Sequence, residues 1–291
     1  PSTAAYLALH SSNTPYFVYT HGMLDPWFKE YYPLKHLMKW LYWQLTEYRT
    51  LRNARGVIFT CEQEKKKARE SFSRYQVKEL VTTIGIKAPS GDKNEQIIKF
   101  YEQFPETKEK KLVLFLGRIH PKKGCDLLID AFKDFANNHP ELHLIFAGPG
   151  DKSWITQLQQ QAESYNIGNR ITWTGMIEGD IKWGAFHASD AFILPSHQEN
   201  FGISVVEALA CSLPVLISDK VDIFNEIKSD NAGIISEDTI DGTRNIFSQW
   251  LSMTPEAQQA MKTSAQNCYN NRFEVHNATR QLMELLETNI T

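Results

Sequence analysis

The sequence predicts an α/β protein of two domains, the second a full doubly wound unit and the first with about three strands. Short apolar runs rich in β-branched and aromatic residues alternate with longer amphipathic stretches, the pattern of parallel strands covered by helices. Glycine-bearing polar loops follow several of these runs, which is where open α/β sheets place their ligands. A polar, breaker-rich segment interrupts the alternation, and 291 residues suffice for a core on either side of it.

Strands are expected at 15–20, 56–60, 80–84, 111–117, 142–147, 171–174, 191–195, 214–218 and 232–235. Helices are expected at 33–52, 62–74, 122–138, 153–165, 180–188 and 202–211, with a C-terminal stretch from Met253 to Leu286 reading as helix throughout. Ala88-Pro89-Ser90-Gly91-Asp92-Lys93 and the charged run Glu106 to Lys111 bracket a short helix, which places the join within 86–110. The expected division is a first domain over 1–105, a second over 106–270 and a terminal helix over 271–291. The chain opens at Pro1 without an initiator Met and reads as truncated, so the first domain is expected to be incomplete.

Composition narrows the function classes. Lys and Arg total 31 against 34 Asp and Glu, a net charge of -3, so there is no whole-chain field for a nucleic-acid backbone and any anion site must be local. Nucleic acid is not an expected partner. Cys61, Cys125, Cys211 and Cys268 are scattered without a C-x-x-C pair, which argues for reduced thiols rather than zinc or disulfides. No apolar run reaches a membrane-spanning length and no basic leader precedes one, so a cytoplasmic location is expected.

Three segments carry chemistry, each after an expected strand. In Val113 to Gly124 the strand ends at Gly117 and presents Arg118, Lys122 and Lys123, either a solvated basic loop or a guanidinium fork and ammonium for a diphosphate. Gly148-Pro149-Gly150-Asp151 is either an ordinary βα turn or a backbone that lets a ligand approach. Neither G-x-G-x-x-G nor a Walker loop is present. In Ala191 to Cys211 a strand breaks at Pro195, a polar loop holds Glu199 and Asn200, and an apolar helix opens near Gly202. Its first amides, of Phe201, Gly202 and Ile203, would be free for phosphate or sugar oxygens. Glu207 lies among Val205, Val206, Ala208 and Leu209, where a carboxylate needs a partner, and a ribose diol is one.

Arg118 with Lys123-Gly124, the Gly148-Pro149-Gly150 turn, Gly175 after a strand, and Glu199 and Glu207 followed by Ala208-Leu209-Ala210-Cys211-Ser212-Leu213-Pro214-Val215 together resemble the retaining glycosyltransferase family 4. The resemblance implies the GT-B fold, two Rossmann-like domains with the donor held against the C-terminal one, and a C-terminal helix that packs back on the N-terminal domain. It implies that Arg118 and Lys123 bind the diphosphate, Glu199 with the Phe201, Gly202 and Ile203 amides holds the sugar, Glu207 binds the ribose, and the nucleobase lies near Met176 and Ile177. Gly117, Gly148, Gly150 and Asn200 join the donor site, and His21, after the 15–20 strand, resembles the histidine placed over the reacting sugar. The implied reaction is front-face transfer from a nucleoside diphosphate-sugar to a saccharide or lipid-linked acceptor, in polysaccharide or glycoconjugate synthesis, with no metal or other cofactor. Alternatives are a non-catalytic nucleotide-sugar-binding fragment or subunit and a GT-B sugar-nucleotide epimerase. With its N-terminal segment absent, the chain is expected to bind nucleotide but transfer sugar slowly.

Two further stretches have plain explanations. The aromatic run Tyr31 to Trp43 recurs at helical spacing, for which core packing is expected; the alternative is peripheral contact with the inner face of the membrane. The run Glu62-Gln63-Glu64-Lys65-Lys66-Lys67 reads as a solvated helix start.

Overall fold

The computed structural model describes residues 2–9, 14–27, 29 and 33–290. The chain divides into two compact units, Pro1–Gly85 with Val275–Thr291, and Ile86–Glu274.

In the first unit, β1 (Phe17–Tyr19), β2 (Gly56–Phe59) and β3 (Glu79–Val81) form a parallel sheet in that order, with Val18 opposite Val57 and Ile58 opposite Leu80. The run Gly56-Val57-Ile58-Phe59 is buried along its whole length, as a central parallel strand covered on both faces requires. Trp43, Tyr48, Leu51, Val57, Phe59 and Phe72 pack into one core, and the rings of Trp43 and Phe72 stack at 4.5 Å. A Cβ on Gly85 would meet Val275 Cα at 2.7 Å and Ala278 Cβ at 2.9 Å. The terminal helix Val275–Ile290 therefore sits directly on this glycine backbone.

The aromatic run departs from its expected role. Tyr31 and Tyr32 lie outside the described residues, and the helix Pro33–Tyr42 presents Leu34, Leu37, Met38 and Leu41 to solvent, with Leu34 at 81% and Met38 at 76% exposure. Among these named residues and Trp43, only Trp43 enters the core. Helical spacing identified an apolar face, but whether that face is covered depends on neighbours that spacing does not specify. The charged run Glu62 to Lys67 also differs: Glu62 is exposed and pairs with Lys65, whereas Glu64 is buried.

The second unit holds β4 (Lys111–Leu116), β5 (Leu142–Ala147), β6 (Ile171–Gly175), β7 (Ala191–Leu194), β8 (Val215–Ser218) and β9 (Gly233–Ser236) in one parallel sheet ordered β6-β5-β4-β7-β8-β9. Leu114 stands opposite Ile145 on one side and Phe192 on the other. The continuous apolar runs of β5, β7 and β8 are fully buried because helices cover both faces. The helix Cys125–Ala136 contributes Cys125, Leu128, Ile129, Phe132 and Ala136, one stripe at a helical period. Each such large side chain removed from water contributes on the order of 1.5–3 kcal/mol. Two helices beyond those expected follow, Phe224–Ser229 and Ile240–Ser252, the second capped by Thr239 accepting the Gly242 N–H at 2.9 Å.

Both domain boundaries differ from those expected. The helix Lys93–Gln103, assigned by sequence to 1–105, belongs to the second unit: Phe100 is fully buried, Gly184 lies against the Gln96 carbonyl, and Lys99 pairs with Asp180 at 2.6 Å. The division thus falls after Gly85 rather than after 105. The C-terminal stretch is also not one helix. It runs over Pro255–Cys268, passes through a π-helical turn at Tyr269–Phe273, and breaks at extended Glu274 before Val275–Ile290. Glu274 bridges to Ile86, so the second crossing lies after Glu274 rather than after 270.

A buried histidine makes this unit's stability depend on pH. His143 on β5 is 3% exposed, and its Nε2 lies 2.9 Å from Thr172 Oγ1, which donates to Glu106 at 2.9 Å. Burial, followed by the Arg170 charge, pushes its pKa down to about 4. The folded state holds it neutral while the unfolded chain titrates near 6.5, so its contribution is complete above pH 6.5 and is lost as pH falls toward 4. Thermal melts should therefore show Tm falling below pH 6.5, and His143→Gln should flatten that fall. An unchanged slope in the variant would assign the dependence elsewhere.

Candidate functional site

The order of the second sheet creates one special edge. From β4 the chain winds outward through β5 and β6, then returns to the other side of β4 to form β7. The loops after β4 and β7 leave in opposite directions, and the crevice at such a switch point is where open sheets bind ligands.

The two loops are tied together through the backbone. Lys122 O accepts from His197 N at 2.8 Å and from Ser196 Oγ at 2.9 Å, while Lys122 Nζ donates to Gln198 at 3.1 Å. Gly124 is left-handed at φ 65, and a Cβ there would strike the Pro195 carbonyl. The β5 loop joins the same edge: Gly117 N donates to Ala147 O, Ile119 N to Pro149 O and Gly148 N to Gly175 O, all at 2.8–2.9 Å. Asp151 ends this turn by capping Lys152–Ser164. Gly117, Arg118, Lys123, Gly148, Gly150, Met176, Ile177 and the segment from Glu199 to Glu207 all come from this unit's loop edge or the helix that opens on it. Met176 is exposed and Ile177 half-buried on the loop after β6.

The charges are arranged in a definite way. Arg118 is exposed and forms no ion pair among the described residues. Lys123 is half-buried and pairs with Glu199. Glu199 is fixed by its backbone, its N–H donating to Lys220 O at 3.0 Å and its carbonyl accepting from Asp222 N at 2.9 Å. His120, which the sequence reading passed over, accepts the Lys122 N–H at 3.1 Å and caps the turn Pro121–Lys123. Burial and then the charges of Arg118, Lys122 and Lys123 hold its pKa below the usual range, which reports a locally positive loop.

The helix Ile203–Ala210 begins after Gly202, which is left-handed at φ 78 and gives no side-chain cap. The N–H groups of Phe201, Gly202 and Ile203 meet no acceptor among the described residues, and Asn200 Oδ1 is buried without a partner. Phe201 is buried and packs edge-on to Phe273 at 5.8 Å, which anchors the loop. Glu207 also has a partner within the protein, Lys182, whose Nζ donates to Oε1 at 2.8 Å. No local signal reveals Lys182, because it stands on another helix, 25 residues away.

His21 lies in the first unit, at the carboxyl end of β1. It adopts left-handed φ 45, is exposed, and stacks on Tyr19 with ring centroids 5.3 Å apart. Among the described residues no group of three or more His, Cys, Asp or Glu is placed to hold a metal ion.

Comparison with known proteins agrees with this architecture. The sequence profile of the family described as Glycosyl transferases group 1 matches residues 96–267. Mannosylfructose-phosphate synthase of Agrobacterium fabrum is 31% identical over 145 residues, which are 48% of this chain and 31% of that protein. The 2-deoxystreptamine N-acetyl-D-glucosaminyltransferase of Niallia circulans is 33% identical over 118 residues, 40% of this chain and 30% of that one. The matched stretch thus spans about a third of these relatives' length. Among solved structures, Anabaena HepE, crystallised with UDP and glucose, superposes with a TM-score of 0.79 at 19% identity, covering 99% of this chain and 75% of that one. The sucrose-phosphate synthase of Thermosynechococcus elongatus gives 0.78 at 18% identity, covering 99% and 71%. With its parallel sheets, its loop edge at the switch point and a family match over more than half its length, the chain has the GT-B fold and belongs to the glycosyl transferases group 1.

Proposed function

We propose that the protein takes part in transferring a sugar, with retention of anomeric configuration, from a nucleoside diphosphate-sugar to a saccharide or lipid-linked acceptor in polysaccharide or glycoconjugate synthesis. One observation carries this reading. The β4–β7 edge brings together an unpaired guanidinium, a lysine on a carboxylate, and helix-start amides without acceptors.

A nucleoside diphosphate leaves readily only if the charge developing on it is neutralised, and Arg118 with Lys123 would supply that stabilisation without a metal. The amides of Phe201 to Ile203 would receive sugar or phosphate oxygens. Glu199, held by its backbone, would orient sugar hydroxyls rather than attack carbon. Lys182 occupies Glu207 Oε1, leaving Oε2 for a ribose hydroxyl. Met176 and Ile177 would border the nucleobase. Gly117, Gly148 and Gly150 would let backbone approach the donor, Asn200 would accept from it, and His21 would act at the transferred sugar. The test is incubation with labelled UDP-, GDP- and ADP-sugars and candidate acceptors, followed by NMR of the product's anomeric proton. An inverted product would overturn retention.

Affinity measurements separate the assigned roles. Arg118→Ala and Lys123→Ala should weaken nucleoside diphosphate binding far more than nucleoside binding. Glu207→Ala should weaken both by about 1.5–3 kcal/mol, as for a charged hydrogen bond. Calorimetry that found equal losses for the first pair, or none for the third, would remove those roles.

The exposed helix Pro33–Tyr42 supports peripheral contact with the membrane, where a lipid-linked acceptor would be met. Leu34, Leu37, Met38 and Leu41 repeat at a helical period, with Lys35 and Lys39 on the same helix. Cosedimentation with anionic vesicles should fall about tenfold in Leu37→Glu/Met38→Glu and be weaker with zwitterionic vesicles. Equal sedimentation of both proteins would dismiss the contact.

A further inference from the structure

Glu64 is a buried carboxylate, 4% exposed, in a helix most of whose residues are charged. Among the described residues no cation forms an ion pair with it. Instead four neutral donors converge on it: Oε1 accepts from Thr20 Oγ1 at 2.9 Å and Gly22 N at 2.7 Å, and Oε2 from Thr60 N at 2.7 Å and Thr60 Oγ1 at 2.8 Å. A carboxylate has about four lone-pair sites, so all are used.

The donors come from two neighbouring strand ends. Thr60 follows β2 and Thr20 follows β1, whereas Glu64 stands in the first turn of the helix Glu62–Ser71. A glutamate at this helix position ordinarily turns back to the capping residue's own N–H. Here it reaches one residue further back and across to the adjacent strand. Between its two β1-side donors lies His21, whose left-handed φ of 45 is unfavourable for a residue with a Cβ. Such backbone persists only where its surroundings over-determine it, and the bonds to Thr20 and Gly22 do so on both sides.

We propose that Glu64 is a positioning residue for His21: one carboxylate fastens both strand ends and sets the backbone from which the imidazole stacks on Tyr19. This rests on the reading that His21 acts at the transferred sugar. Glu64→Gln tests it with little change of shape, because the new amide presents N–H groups to an existing cluster of donors. On the full chain, Glu64→Gln should lower kcat by about 10–100-fold, as expected for misplacement of a reacting group. Nucleotide affinity should hold, and Glu64→Gln/His21→Ala should be no slower than His21→Ala alone. The NMR resonance of the His21 Cε1–H should lose its ring-current shift from Tyr19 in Glu64→Gln. Thr20→Val, which removes one donor and keeps the shape, should move it the same way by less. Additive losses in the double variant, or an unmoved His21 resonance, would overturn the proposal. If His21→Ala alone leaves turnover unchanged, the role of His21 falls, and the resonance still decides whether Glu64 positions it.

Discussion

The candidate site depends on one constraint, the close approach of the β4 and β7 loops where the winding of the sheet reverses. Two loops that leave a switch point in opposite directions have no sheet neighbour in common beyond their strands. Here they are held by the Lys122 carbonyl, which accepts from both Ser196 and His197, and by contact between Gly124 and the Pro195 carbonyl. A side chain at Gly124 would push the loops apart and separate Lys123 from Glu199.

The two units satisfy carboxylates drawn from solvent differently, and the difference fits what each edge must do. At the second unit's edge, Glu199 and Glu207 are each matched by a lysine, Lys123 and Lys182. An ion pair of this kind avoids the cost of an isolated half-buried charge and can exchange one oxygen or one N–H for a ligand group. Arg118 forms no ion pair among the described residues, so its guanidinium is open to an anionic ligand group. In the first unit Glu64 is satisfied by neutral donors on all sides. That arrangement leaves nothing for a ligand and makes it a fastening instead.

Packing differs between the two units. The second sheet's loops are bound to one another and anchored by buried aromatics such as Phe201 on Phe273. The first unit has a smaller core around Trp43, Val57, Phe59 and Phe72, and it exposes an apolar helix face beside it.

The strands, the glycines that end them and the residues of the loop edge were legible in the sequence because each signal is local. A run such as Leu142–Ala147 is mostly apolar wherever it lies, and a glycine after a strand, such as Gly117 or Gly148, ends it from its own conformational freedom. The GT-B resemblance rested on the same local segments. What sequence could not fix was the identity of contacts made across the fold. Lys182 meets Glu207 only because their two helices pack together, and Glu64 leaves solvent only because β1 and β2 lie side by side. The domain boundary moved for the same reason: Lys93–Gln103 looks like part of a linker until Gly184 offers it a surface. The apolar face of Pro33–Tyr42 was visible as a period, but its exposure was decided by the neighbours that tertiary structure did not place over it. Local chemistry determines which residues can form strands, turns and sites, whereas burial and pairing belong to partners that only the folded chain brings near.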